Sequence, residues 1–338
     1  MLKTVLRQED DLAHSDVSTA KVATGRSAVK LLMDRYKPTD VLMPCYVPDG
    51  ILDPVVMSGA RVVFYKLLST MTPALDDVER QLARCKTSTA IIVIAIDYFG
   101  GGLDMTALHQ LCKRRGAILF ADLAQCVPYT TDANCDVLLY SLNKFLPVVD
   151  GAFIKSKVWD VSVAVDEDRL PPMPVEAVNG YKAHLKLNAA LEEEGNLRAS
   201  QRAYDSYYSI IKDCALYGQS AESRRADRNA EYEQIRRRRV DLSSRLSGSL
   251  YHQFRVAGGW YYQFAYPILC QGKRDAVQEA LLTVGIVAAR QERRWNHIPR
   301  SGFSVESNFI SDHLLLPINE RVQVSDIDIM CDTINRFA

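Results

Sequence analysis

AIIVIAIDYFGGGLDMTALHQLCKRRGAILFADLAQ, residues 90–125, decides the fold. Ala90 to Ile96 is a short, unbroken apolar run dominated by isoleucine, the pattern of a strand covered on both faces. Asp104 to Arg115 starts acidic and ends on Lys113, Arg114 and Arg115, which suits a helix dipole, and Gly116 stops it. Ala117 to Ala121 is apolar again. Strand, helix, strand is the crossover of a parallel sheet. YFGGGLD, residues 98–104, lacks the G-x-G-x-x-G spacing of a nucleotide loop and reads as the turn between strand and helix.

The same alternation extends outward. Upstream, Val41 to Tyr46 and Val62 to Leu67 read as strands, Pro48 to Ser58 and Leu75 to Cys85 as helices. Downstream, Val137 to Leu142 is another buried strand. The fold class is therefore α/β: a three-layer, mostly parallel sheet with helices on both faces, over residues 1–180. From Tyr181 to about Leu246 the chain is polar and rich in Ala, Glu and Arg, and it predicts a long helix in a connecting segment, 181–248. Its four arginines, Arg236 to Arg239, read as a solvated helix face because acidic residues are interleaved just upstream. Residues 249–338 predict a smaller α/β domain: strand Phe264 to Cys270, helix 273–285, strand His313 to Ile318 and helix 325–337. Ser325 with Asp328 is expected to cap that last helix.

Charge excludes some partners. Lys+Arg and Asp+Glu are both 41 in 338 residues, so no net field recruits nucleic acid or an acidic membrane. The acidic N-terminus does not suit a signal peptide, and the longest apolar run is far too short for a membrane span. Eight cysteines without a C-x-x-C pair point to reduced structural thiols in a cytoplasmic protein, with no metal site.

In parallel sheets, ligands bind beyond the carboxyl ends of the strands. Three features fall there. Asp122 directly follows one strand. Lys144 follows the next, in DVLLYSLNKFLPVVDGAF (136–153), between two segments that want to be inside. The third is Thr24-Gly25 opening a helix, where the free N–H groups of Gly25, Arg26 and Ser27 would bind an anion. A carboxylate, a lysine and a phosphate cradle are what pyridoxal 5'-phosphate (PLP) requires, and apolar walls around Lys144 would lower its pKa toward a usable amine. Each feature alone has a blander reading: a turn-forming aspartate, a lysine reaching to water, an ordinary helix start.

In combination and in order, these segments resemble the DegT/DnrJ/EryC1/StrS family of sugar aminotransferases. TGRSAVKLL resembles its cofactor-phosphate turn, FADLAQ its E-D-x-A-Q signature, and SLNKFLPVVDGAF its lysine segment. The resemblance implies that Lys144 is the Schiff-base lysine and proton shuttle, and that Asp122 pairs with the ring nitrogen. It implies that Gln125 bonds the ring hydroxyl, Ser141 the phosphate, and a residue near Tyr46 covers the ring face. It further implies a homodimer that takes a small-molecule keto substrate, a nucleotide-linked sugar, and an amino donor such as glutamate. Departures are Ala121 for the acidic residue of the signature, Asp97 for a family histidine, Ala152 for a glycine, and NGYKAHLKL (179–187) where a cross-subunit loop is expected. Alternatives are another PLP enzyme, a lyase or dehydratase, and a degenerate member acting as a binding protein.

Overall fold

The computed structural model describes residues 17–85, 90–129, 134–167, 169–188, 194–258, 261–299 and 301–338. The acidic N-terminal stretch read above lies outside them, at 1–16. Seven strands form the main sheet: β1 (Ser18–Val22), β2 (Asp40–Pro44), β3 (Arg61–Tyr65), β4 (Ile91–Ile96), β5 (Ile118–Asp122), β6 (Val137–Ser141) and β7 (Ala152–Ser156). Their order is β1-β7-β6-β5-β4-β2-β3. Strands β2 to β6 run parallel, while β7 is antiparallel to both β1 and β6. Every residue of β2, β4 and β6 is buried, as continuous apolar strands require when both faces are covered.

Four helices join this half: α1 (Gly25–Tyr36), α2 (Asp49–Met57), α3 (Leu75–Leu82) and α4 (Thr106–Arg115), the last ending at Gly116 in the left-handed region. A short turn of helix, α5 (Val161–Ala164), follows β7. The single long helix expected from Tyr181 is instead a series: α6 (Val175–Asn188), α7 (Glu194–Ile211), α8 (Ala221–Asn229) and α9 (Tyr232–Ser249). Among the described residues, Ser220 caps the start of α8 by accepting from the Ser223 amide, which fixes one of the breaks.

The C-terminal part adds a two-stranded antiparallel sheet, β8 (Ala265–Leu269) with β9 (His313–Pro317), and helices α10 (Arg274–Thr283), α11 (Ser304–Asp312) and α12 (Val324–Asn335). The start of α12 corrects the expectation for it. Gln323 and Asp326 form the capping box, not Ser325 with Asp328. One continuous apolar core runs through both sheets. No helix among the described residues is long and apolar enough to cross a membrane. All eight cysteines are buried and none forms a disulfide, and no metal-binding group of His, Cys, Asp or Glu occurs among the described residues.

Candidate active site

Asp122 and Lys144 meet at the carboxyl edge of the main sheet. β5 ends on Asp122, and β6 ends on Ser141, after which a tight turn, Leu142–Lys144, carries the lysine. The Leu123 amide donates to the Leu139 carbonyl (2.9 Å), so the two strand ends stay in step. The Asp122 side chain is buried, and its Oδ1 accepts from the Ala124 amide at 3.0 Å. Its second oxygen has no partner among the described residues. Burial pushes this carboxyl up to about 6, against the Ala124 hydrogen bond and the nearby Lys144 charge, and Asp97 adds to the rise. Lys144 departs from expectation. Its neighbours Leu142 and Phe145 are buried, but the lysine itself is exposed. Its Nζ lies 5.4 Å from the centre of the Phe264 ring and has no carboxylate within ion-pair distance among the described residues. Lysine and aspartate therefore feel each other's charge without closing into a salt bridge.

The start of α1 reaches the same edge. The Gly151 amide donates to Ala23 (2.7 Å) and the Leu142 amide to Gly151 (2.8 Å), which links the α1 entry to the Lys144 turn. Gly25 packs so closely on Leu139 that an added Cβ would stand 3.4 Å from its methyl carbon. The cradle is narrower than expected, because Thr24 caps the helix by accepting from the Ser27 amide (3.2 Å). The Ser27 hydroxyl donates to the Ala215 carbonyl (2.8 Å). Arg26 turns away to Asp53 (2.6 Å) and to the Tyr208 hydroxyl, so its guanidinium serves the α1–α2–α7 packing. The amides of Gly25 and Arg26 remain. Ser141 donates to Asn143 (2.8 Å).

Gln125 is fixed by the glycine-rich turn. Its Oε1 accepts from the Phe99 amide (2.6 Å), which leaves Nε2 as the donor end, 3.5 Å from Gln291 Oε1. Gly100, at φ +70, lies so close that an added Cβ would fall 2.4 Å from the Gln125 carbonyl oxygen. YFGGG is thus the seat of Gln125 as well as a turn. Asp97 is buried and accepts from the Gly102 and Leu103 amides (3.1 Å each) and the Cys126 thiol (3.2 Å). Tyr46 does not cover an open site. Its ring is enclosed by Tyr98, Trp295, Phe309 and His313, at centroid distances of 5.1–6.2 Å.

NGYKAHLKL lies within α6, a helix rather than a loop. His184 on it packs on Tyr181 and Tyr204, and burial, with the Lys144 charge adding to it, holds its imidazole pKa below the ordinary value. Sequence reasoning missed Phe264, Gln291 and Trp295. They come from the last third of the chain and carry no local signal; only the fold brings them to Lys144, Gln125 and Tyr46.

Residues 16–135 match the family model of the DegT/DnrJ/EryC1/StrS aminotransferase family. The chain is 27% identical over 158 residues to dTDP-4-dehydro-2,3,6-trideoxy-D-glucose 4-aminotransferase of Saccharopolyspora spinosa. That match spans 44% of this chain and 40% of the relative. Among solved structures, the sugar aminotransferase CalS13 of Micromonospora echinospora superposes with a TM-score of 0.63 at 18% identity, over 94% of this chain and 87% of its own. The aminotransferase TlmJ of Streptoalloteichus hindustanus gives 0.64 at 16%, over 95% and 85%. Spr1654 of Streptococcus pneumoniae, solved in PLP and PMP forms, gives 0.64 and 0.66 at 14% and 13%, over 94% and 99% of this chain and 86% and 89% of its own. At these identities the likeness shows a shared fold, that of the PLP-dependent aminotransferases.

Proposed function

We propose that the protein is a PLP-dependent aminotransferase that moves an amino group from an amino acid, glutamate being the first candidate, to a keto group of a nucleotide-linked sugar. The observation that carries this reading is Asp122, a buried carboxylate with one oxygen open, opposite a lysine that lacks a carboxylate of its own. A pyridinium N–H is the donor such an oxygen lacks, and an aldehyde is what such an amine can take up, so these residues fit the cofactor. When bound, PLP supplies an electron sink for negative charge at the carbon bearing the amino group.

The chain's own groups do the positioning. Asp122 holds the ring-nitrogen proton. Gln125, with Oε1 tied to Phe99, offers Nε2 to the ring hydroxyl. The amides of Gly25 and Arg26 would hold the phosphate at the positive end of α1, with the Ser141 hydroxyl as a further donor. Lys144 Nζ would be the amine that takes up the aldehyde and that accepts and returns a proton at the carbon bearing the amino group. Tyr46 and the Ser27 amide take no part. The sugar half of the reading draws on the Saccharopolyspora relative, whose name is that of a 4-aminotransferase of a dTDP-linked deoxy sugar. We propose further that the protein is cytoplasmic and a homodimer; sedimentation velocity checks the dimer.

The test is the visible absorption of purified protein with added PLP, for wild type and Lys144→Ala. A visible band expected of a lysine-bound cofactor, lost in the variant and converted by glutamate, supports the reading. Its absence from wild type means a binding protein on an aminotransferase fold.

A further inference from the structure

We propose that Arg239 is a positioning residue for Lys144, acting through the paired rings of Phe145 and Phe264. The inference rests on Lys144 being the cofactor lysine. Arg239 is the last of the four arginines expected to face solvent together. Successive helix residues point about 100° apart, so a run of four cannot share one face. Arg236 and Arg237 bond Glu233 on the surface, and Arg238 reaches the Val322 carbonyl. Arg239 turns inward, with its side chain 4% exposed.

Its contacts converge on the lysine. Nη1 donates to the carbonyls of Gln263 (3.1 Å) and Phe264 (3.3 Å), and Nη2 to Glu320 (3.1 Å). The guanidinium carbon stands 4.9 Å from the centre of the Phe145 ring. Phe145 meets Phe264 edge to face, centroids 6.4 Å apart at 75°, and Lys144 Nζ lies 5.4 Å from the Phe264 centroid. One group thus grips the ring next to Lys144 in sequence and the backbone of the ring under its amine. The grip also reaches Gln125. The Gln263 and Phe264 amides both donate to the Phe99 carbonyl (3.0 and 2.9 Å), and the Phe99 amide is the one that orients Gln125. Glu320 is largely exposed, and Arg239 Nε has no partner among the described residues, so the guanidinium is poorly compensated for a buried charge. A role confined to tying α9 to the entry of β8 would not need its face laid on Phe145.

The test uses cofactor-free protein and does not depend on activity. Brief acetic anhydride labelling, read by mass spectrometry, gives the rate at Lys144 relative to exposed Lys37 in wild type, Arg239→Met, Arg239→Lys and Phe264→Leu. Release of the amine from the ring face raises the relative rate about threefold in Arg239→Met and in Phe264→Leu, the size of one exposed cation–π contact. The double variant gives no further rise, and Arg239→Lys recovers part of the wild-type rate. An unchanged rate in folded Arg239→Met, or additive effects in the double variant, overturns the proposal. Should Arg239→Met not fold, Phe145→Leu carries the test, since it breaks the relay and leaves the guanidinium hydrogen bonds in place; an unchanged rate there overturns it equally. The PLP band is read separately in wild type. Altered labelling without a band sinks the function and leaves the positioning intact, whereas a band with unaltered labelling sinks the positioning alone.

Discussion

Asp122 is suited to a ligand at a cost to the empty fold. Its carboxyl is pushed up to about 6 by burial, above the usual value near 3.9. The folded state therefore holds more proton than the unfolded chain between those values, and stability falls as pH rises through that window. The loss is complete above about pH 6 and amounts to roughly 2–3 kcal/mol. Cofactor-free Asp122→Asn should accordingly be the more stable protein at pH 7.5, by about 2 kcal/mol, with the difference gone near pH 4, as urea melts at the two pH values would show. The same variant should bind PLP about ten- to a hundredfold more weakly, the effect of losing one charge-assisted hydrogen bond. Stabilisation without loss of affinity would remove Asp122 from the site. The residue types and their order along the chain were legible in the sequence, because a strand end fixes where Asp122 and Lys144 must lie. Exposure was not. The apolar flanks of Lys144 are buried, yet a tight turn carries the lysine between them to the surface, and no pattern of neighbours reports that.

At the scale of elements, the parallel strands were legible because covered strands are continuously apolar. β1 and β7 were not, since STAKV and AFIKS mix polar and apolar residues in the manner of many loops. The cap of α12 was misplaced by two residues because Gln323 and Ser325 both precede an acidic residue three positions on, and only geometry separates them. Asp326→Ala should then lower stability by about 1 kcal/mol and Asp328→Ala by a few tenths; equal effects would return the cap to Ser325. The triple glycine was read as a turn, and its tighter duty was invisible. Gly100 and Gly102 share a positive φ, but only Gly100 meets the Gln125 carbonyl; nothing lies within 4 Å of a Cβ at Gly102. Gly102→Ala should cost about 1 kcal/mol from backbone strain alone. Gly100→Ala should cost about 3 kcal/mol or more, since the clash is with main chain, and should weaken PLP binding by displacing Gln125. Comparable melts for the two variants would show that the turn yields freely and does not seat Gln125.

The whole molecule depends on a joint between its two sheets, and the joint has a pH limit of its own. His313 opens β9, deep in the core, with Nδ1–H donating to the Phe309 carbonyl (2.8 Å) and Nε2 accepting from the Gln291 amide (3.0 Å). Gln291 in turn accepts from the Tyr46 hydroxyl (3.0 Å) and reaches Gln125. A ring that donates at one nitrogen and accepts at the other is neutral, and burial holds this imidazole down to about 4. Below the ordinary histidine value near 6.5 the unfolded chain takes the proton first, so stability falls on acidification through the window from about 6.5 to 4. The full loss is of order 3 kcal/mol. This runs opposite to Asp122, whose protonation favours the fold over an overlapping range, so the two are separated by variants and not by the wild-type curve alone. His313→Gln, which cannot gain the charge, should be less stable than wild type at pH 7 by 1 kcal/mol or so, yet lose little more by pH 4.5. Wild type should meanwhile lose about 2.5 kcal/mol over that range, more than its advantage, so that the order of the two proteins reverses by pH 4.5. Parallel curves for the two proteins would mean that His313 stays neutral throughout, and that the acid limit of the joint lies with other groups.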